Sequence, residues 1–306
     1  MTFLASAPRL DQPVSVRLPG FFAGATDDGA IDQGDRGADG VPTFRLLIGG
    51  SWRAAAGGEV FDVRSPIDGS VIAKAQKAGR DDVTAAIDAA KDARAEFRAR
   101  PAAERLELCE EAAGIMAEHL DTFIDVIVAN LGKTPSQAKS EANATRERLG
   151  LAREEVRKIF GEYLPGDWIP DTAGKAGIVL REPVGTVAAI GPFNYPLFLA
   201  ASKIIPALAA GNTVVAKAPS DDPVPLMLFA RLLEEAGLPA GVLNVITGPG
   251  GEIGDVLAEH DDVSMISFTG SSAVGKRIAR LASPKPMHLE LGGNAAAVVL
   301  ADADLD

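Results

Sequence analysis

Hydrophobic positions follow two rhythms along the chain. Between about 80 and 160 they recur every three or four residues among charges and alanines, the spacing of amphipathic helices. From Val187 onward, short solid apolar runs alternate with helical stretches, the pattern of βα units around a parallel sheet. Ahead of both, Phe44–Ile48, Val60–Val63 and Val71–Ala75 read as short strands, with Pro66, Asp68 and Gly69 among the turn residues parting them. Asp81 or Asp82 is expected to cap a helix reaching about Arg98. Pro101 suits the first turn of the next, where Leu106, Cys109, Ala113, Met116, Leu120, Phe123 and Ile127 form one apolar stripe. A third, heavily charged helix is expected over Pro135–Tyr163. Pro165, Gly166, Pro170, Gly174 and Gly177 then break the pattern, and Gly177–Arg181 reads as a strand. The stretch Leu164–Glu182 is an assembly hairpin or an ordinary long loop.

The carboxyl-terminal half predicts a strand at Val187–Ile190, a loop at Gly191–Pro196 and a helix at Leu197–Ala209, with a left-handed cap at Gly211. A strand over Thr213–Ala216 ends in Lys217. Helices Pro225–Ala236, Glu252–Ala258 and Ala273–Ala282 alternate with strands Val242–Thr247, Val263–Phe268, Met287–Leu291 and Ala295–Leu300. The expected fold is α/β with a doubly wound parallel sheet. Ligands in such sheets sit at the carboxyl ends of the strands, where Asn194 and Lys217 fall.

Composition narrows the picture. At 306 residues and 47% hydrophobic, the chain can bury a large core. Residues 1–42 are rich in Gly, Asp and Pro without sustained period, and are expected to be a mobile tail. No apolar run is long enough for a bilayer, and the start lacks the basic and apolar blocks of a secretory signal. A single cysteine excludes an internal disulfide and fits a reducing compartment, so a cytoplasmic location is expected. A net charge of −12 disfavours nucleic-acid binding. His119, His260 and His288 show no metal spacing, so no metal is expected.

Asn194 lies between Pro192 and Pro196. Its uncharged amide could donate to an oxygen that becomes negative, or could simply turn the loop. Lys217 could reach a ribose hydroxyl or phosphate, or snorkel at the sheet edge. Gly248-Pro249-Gly250-Gly251 misses the dinucleotide fingerprint because Ile253 holds its last glycine position. Gly270 to Lys276 nearly matches a triphosphate-binding loop, but Arg277 replaces the magnesium-binding hydroxyl. What survives is a strand leading into a helix amino terminus, suited to pyrophosphate. Glu290, at a strand end beside Gly292 and Gly293, is a candidate general base or a solvated carboxylate. Cys109 lies mid-stripe and reads as a packed small hydrophobe.

Glu182-Pro-Val-Gly185, Gly191-Pro-Phe-Asn-Tyr-Pro196, Pro206-Ala-Leu-Ala-Ala-Gly-Asn212, Gly237-Leu-Pro-Ala-Gly-Val242, Phe268-Thr-Gly-Ser271 and Glu290-Leu-Gly-Gly293 together resemble the aldehyde dehydrogenase superfamily. The likeness runs from Phe44 to Asp306. Phe193-Asn194-Tyr195-Pro196 and Gly251-Glu-Ile-Gly-Asp255 are most similar to its non-phosphorylating glyceraldehyde-3-phosphate dehydrogenases. The resemblance implies that Asn194 donates to a thiohemiacetal oxyanion and that Glu290 activates water against a thioester. It implies that Tyr195 lines the substrate site and that Lys217 and Ser220 meet the adenosine ribose. Ser271 and its helix would hold the pyrophosphate, with Pro192, Phe193, Gly248, Phe268, Thr269, Gly270, Leu291 and Gly292 completing the cofactor contacts. Residues 43–289 would form the cofactor domain, with an oligomerisation hairpin near 165–183, and 290–306 would begin the catalytic domain. The complete protein would be a homodimer or homotetramer.

Three departures qualify this. Family members that prefer NAD often carry a glutamate where Ser220 stands; a serine leaves room for a 2′-phosphate, so NADP is expected to be tolerated alongside NAD. The arginine that holds substrate phosphate is replaced by Ala144, with Arg146 nearby, so another small polar aldehyde competes with glyceraldehyde 3-phosphate as substrate. The nucleophilic cysteine lies beyond the Glu-Leu-Gly-Gly stretch in the family, and Cys109 does not replace it. The chain is therefore expected to be an amino-terminal fragment that binds cofactor without turnover. A dinucleotide-binding or subunit-association module is the alternative. A thiol-independent acyl-phosphate reductase fits Asn194 and Glu290 poorly.

Overall fold

The computed structural model of the chain describes residues 31–32 and 41–304. The stretch expected to be a mobile tail lies outside the described residues apart from 31–32 and 41–42. Strands β1 (Ile31–Asp32), β2 (Thr43–Phe44), β5 (Val60–Arg64) and β6 (Val71–Gln76) form one sheet in the order β1-β2-β6-β5. The expected strand Phe44–Ile48 is two strands. It breaks at Arg45, and β3 (Leu46–Ile48) leaves to join a second sheet with β4 (Ser51–Arg53). Gly49 and Gly50, at φ 63 and 76, make the tight turn between them.

Four helices follow: α1 (Arg80–Ala99), α2 (Ala102–Glu118), α3 (Leu120–Leu131) and α4 (Pro135–Val156). Helix α1 begins two residues earlier than a cap at Asp81 would give. Gly79 is its N-cap, and Asp82 serves from the third helical position by accepting from the Gly79 N–H at 3.0 Å. The single helix expected after Pro101 is two, parted at His119, whose φ of −109 leaves the helical range. The stripe survives the break, because Leu106, Cys109, Met116, Phe123 and Ile127 are all buried. Periodicity reports a face and is silent about a one-residue interruption. Helix α4 opens with a Thr134–Gln137 capping box and Pro135, and ends at Val156, short of Tyr163. Tyr163 belongs to a hairpin of β7 (Glu162–Pro165) and β8 (Ala176–Val179).

The second sheet holds the rest: β9 (Thr186–Ile190), β10 (Thr213–Lys217), β11 (Leu243–Ile246), β12 (Met265–Gly270) and β13 (Met287–Leu291). Helices α5 (Phe198–Ala209), α6 (Val224–Glu235), α7 (Gly250–Glu259) and α8 (Ser272–Leu281) connect them. The order is β13-β12-β9-β10-β11-β3-β4, parallel from β13 to β11 and antiparallel at β3 and β4. The expected doubly wound parallel sheet is present, with two antiparallel strands added at one edge. Alternate residues face opposite layers. Val187, Ala189, Val214 and Ala216 join the core beneath α2–α6, while Ala188, Ile190, Val215 and Ile266 pack under α1, α7 and α8. Covered on both faces, these strands read as unbroken apolar runs.

The strand expected at Ala295–Leu300 is absent. Val298, Val299 and Leu300 are 83%, 63% and 67% exposed. No strand among the described residues lies alongside to accept their backbone bonds, and an apolar run without a ladder partner does not become a strand. No described helix is long and apolar enough to cross a membrane.

Candidate functional site

Successive connections run from β9 outward to β10 and β11, then return to place β12 on the other side of β9. The order in which strands are added therefore reverses between β9 and β12, although the two strands run parallel. A crevice opens at such a reversal, beyond the carboxyl ends of the strands. Here it is a cavity of about 1050 Å³. The β9–α5 loop lines it with Pro192, Phe193 and Asn194. Lys217 and Ser220 enter from the end of β10, Phe268, Thr269, Gly270 and Ser271 from β12, and Glu290, Leu291 and Gly292 from β13. Two expected contacts lie outside the lining. Gly248 reaches the site only through its carbonyl, which accepts from the Ser220 hydroxyl at 3.0 Å. Tyr195 is 44% exposed and lies under the Lys133 ammonium, 3.4 Å from its ring centroid.

Lys217 is 5% exposed. Its Nζ donates to the Ala218 carbonyl at 2.9 Å and to Ser220 Oγ at 3.1 Å. Burial pulls its ammonium down to about 8, against a smaller upward pull from Asp221. Ser220 accepts from Lys217 while giving its own proton to Gly248. A 2′-phosphate would thus find Lys217 as the ready donor, and would gain the serine proton only by breaking the bond to Gly248.

Ser271 caps α8, its Oγ accepting from the Val274 N–H at 3.3 Å. The first-turn amides of a helix have no intrahelical partner, so this end offers donors and a positive dipole to an anion. Asn194 is exposed, and its amide has no hydrogen-bond partner among the described residues. Glu290 is exposed on β13, with His288 Nε2 3.3 Å from its carboxylate.

Three lining residues carry no role in the sequence reading. Lys203 is 7% exposed, donates to Thr269 Oγ1 at 2.7 Å and is lowered by burial, with Glu290 acting in the opposite sense. Its signal was the one charged residue in the largely apolar Ala200–Ala209. His288 sits two residues before Glu290, hence on the same strand face. Arg148 lines the cavity one helical turn beyond Ala144; Arg146, the nearer candidate in sequence, does not. Helical spacing of four would have selected Arg148.

Cys109 is 4% exposed on α2, away from this cavity, and its thiol is pushed up to about 11 by burial and by Glu110. A buried thiol in that state is no nucleophile. Iodoacetamide is expected to leave it unmodified in the native chain and to alkylate it fully in denaturant. Rapid native alkylation, read by mass spectrometry, would overturn the assignment.

Comparison with known proteins places the chain. Residues 52–306 match the model of the aldehyde dehydrogenase family, and the chain belongs to that family. It is 41% identical over 276 residues to vanillin dehydrogenase of Corynebacterium glutamicum, covering 87% of this chain and 55% of that protein. It is 39% identical to the NADP-dependent glyceraldehyde-3-phosphate dehydrogenase of Streptococcus equinus, covering 86% of this chain and 55% of that one. The solved NADP-dependent glyceraldehyde-3-phosphate dehydrogenase of Bacillus halodurans, complexed with NADP, superposes with a TM-score of 0.80 at 37% identity, over 85% of this chain and 55% of that structure. The chain spans about half the length of the relatives it matches.

Proposed function

We propose that this chain is the dinucleotide-binding part of an NAD(P)-dependent enzyme that oxidises an aldehyde to a carboxylic acid. One observation carries the reading. An unpartnered amide, Asn194, shares a single cavity with a buried ammonium, a helix amino terminus and a strand-end carboxylate. The donor set fits a dinucleotide. Lys217 and Ser220 suit the adenosine ribose, and Ser271 with the first turn of α8 suits the pyrophosphate. Bound NAD(P) supplies the hydride acceptor. Asn194 donates to the oxygen that becomes negative as a thiolate adds to the aldehyde carbon. Glu290 takes a proton from the water that releases the acid. Cys109 does not provide the thiolate.

Relatives support the class and leave the aldehyde wide. Named among them are a vanillin dehydrogenase, NADP-dependent glyceraldehyde-3-phosphate dehydrogenases and an NADP-dependent succinate-semialdehyde dehydrogenase. We favour a small polar aldehyde, glyceraldehyde 3-phosphate among them. Assembly as a homodimer or homotetramer, in the cytoplasm, accompanies this reading. Its support is the β7–β8 hairpin, which leaves Tyr163, Trp168, Ile178 and Leu180 69%, 71%, 73% and 74% exposed. The same face favours a second reading, a subunit-association module without chemistry.

Calorimetric titration of the 306-residue chain with NADP and NAD tests the proposal. Both are expected to bind, with NADP at least as tightly. No binding of either defeats it, and a clear NAD preference defeats the role given to Ser220. Formation of reduced cofactor from glyceraldehyde by this chain alone would overturn the exclusion of Cys109.

A further inference from the structure

Helix α5 starts without help from its own sequence. Its N-cap, Leu197, offers no side-chain acceptor, and its first turn holds no acid. The missing acceptor comes from another helix. Glu141 of α4 is 1% exposed, and its Oε1 accepts from the Leu197 N–H at 3.0 Å and the Phe198 N–H at 3.2 Å. Its Oε2 is 2.6 Å from Lys133 Nζ, and that ammonium lies over the Tyr195 ring. The two residues therefore hold the chain on the carboxyl side of Asn194, through Tyr195, Leu197 and Phe198. On the amino side, a Cβ at Gly191 would come within 3.1 Å of Ala200 Cβ, so the loop already lies close against α5.

We propose that Glu141, paired with Lys133, is a positioning residue that fixes the Asn194 amide toward the cavity. This rests on the functional reading for Asn194, whereas the clamp itself is a property of the fold. A carboxylate at a helix amino terminus is held by charge-assisted bonds and by the dipole. A lysine pairing with its far oxygen keeps it oriented. The carboxyl of Asp222 is nearby, and Glu141 adds to the burial that pushes it up to about 7. Lys133 acts on Asp222 in the opposite sense.

Hydrogen exchange on the full chain tests the clamp. Glu141→Gln keeps an Oε acceptor in place but loses the charge and the Lys133 pair, so exchange of residues 191–200 is expected to rise only about threefold over the parent. Glu141→Asp keeps the charge but withdraws it by one methylene, and exchange there is expected to rise roughly tenfold, the scale of one lost bond. Residues 243–247 and the Kd for NADP should not move. A rise spread evenly over the chain, or equal behaviour of the two variants, overturns the proposal. Should Glu141→Asp not fold, the parent decides. The Leu197 and Phe198 amides are expected to exchange as slowly as those of Ala200 and Ala201, and exchange as fast as Ser272 and Ala273 in the first turn of α8 overturns the proposal. Failure of the parent to bind NADP would remove the functional reading and leave the exchange result to judge the clamp alone.

Discussion

Replacing Lys217 by methionine is expected to weaken NADP binding by about 10- to 100-fold, the worth of one or two charge-assisted hydrogen bonds. Methionine keeps the length and apolar stem, so the cavity wall stays filled. Only the ammonium is lost. The same change is expected to stabilise the ligand-free chain at pH 7 by about 1–3 kcal/mol, because it removes a charge that burial disfavours. The sign follows from the lowered value. With the folded lysine at about 8 and the free side chain at 10.5, the unfolded chain holds more protons between those values. Stability of the parent therefore rises with pH across that window and carries its full deficit below it. Binding runs the other way. An anionic ligand favours the ammonium, so affinity falls as pH climbs above 8 and binding takes up protons there. Calorimetry in buffers of different ionisation enthalpy reads that uptake, and Lys217→Met should abolish it. A pH-independent affinity in the parent, or an unchanged Kd in the variant, would remove Lys217 from the ligand site.

Such opposition between stability and binding is expected where a charge is buried for a ligand. It also explains why the site was only half legible in the sequence. Asn194, Lys217, Ser271 and Glu290 could be marked because each lies at a strand end or in the connection from a strand to the following helix, and strand ends in a parallel sheet converge by topology. Continuous apolar runs made β9, β10 and β11 readable nearly to the residue. What stayed hidden depends on contacts between distant elements. Lys203 matters through Thr269, 66 residues away, and Glu141 through Leu197, 56 residues away. No local pattern encodes either pairing. The split at His119 was invisible because both helices present the same buried stripe. The apolar run Ala295–Leu300 was misread for the opposite reason: its local signal is strong, but a strand is defined by its neighbour.

Gly270 offers the sharpest separation of packing from ligand access. It ends β12, two residues after Phe268 and therefore on the same face. A Cβ at Gly270 would stand 2.6 Å from Phe268 Cζ and 3.2 Å from Cε2. Phe268 is 4% exposed, so its ring has little room to yield. Gly270→Ala should force the ring off its rotamer at a cost of about 1–3 kcal/mol, a fall in Tm of about 2–6 °C. The added methyl would also stand before the amino terminus of α8, where a pyrophosphate must approach the backbone. A loss of NADP affinity of tenfold or more is expected. Phe268→Leu in the same chain gives the methyl its space and should recover most of the Tm. The affinity should stay low, since the obstruction at the helix terminus remains. If affinity returns together with Tm, the ring and not phosphate access governs binding, and the assignment of the pyrophosphate to the Gly270–Ser271 turn fails.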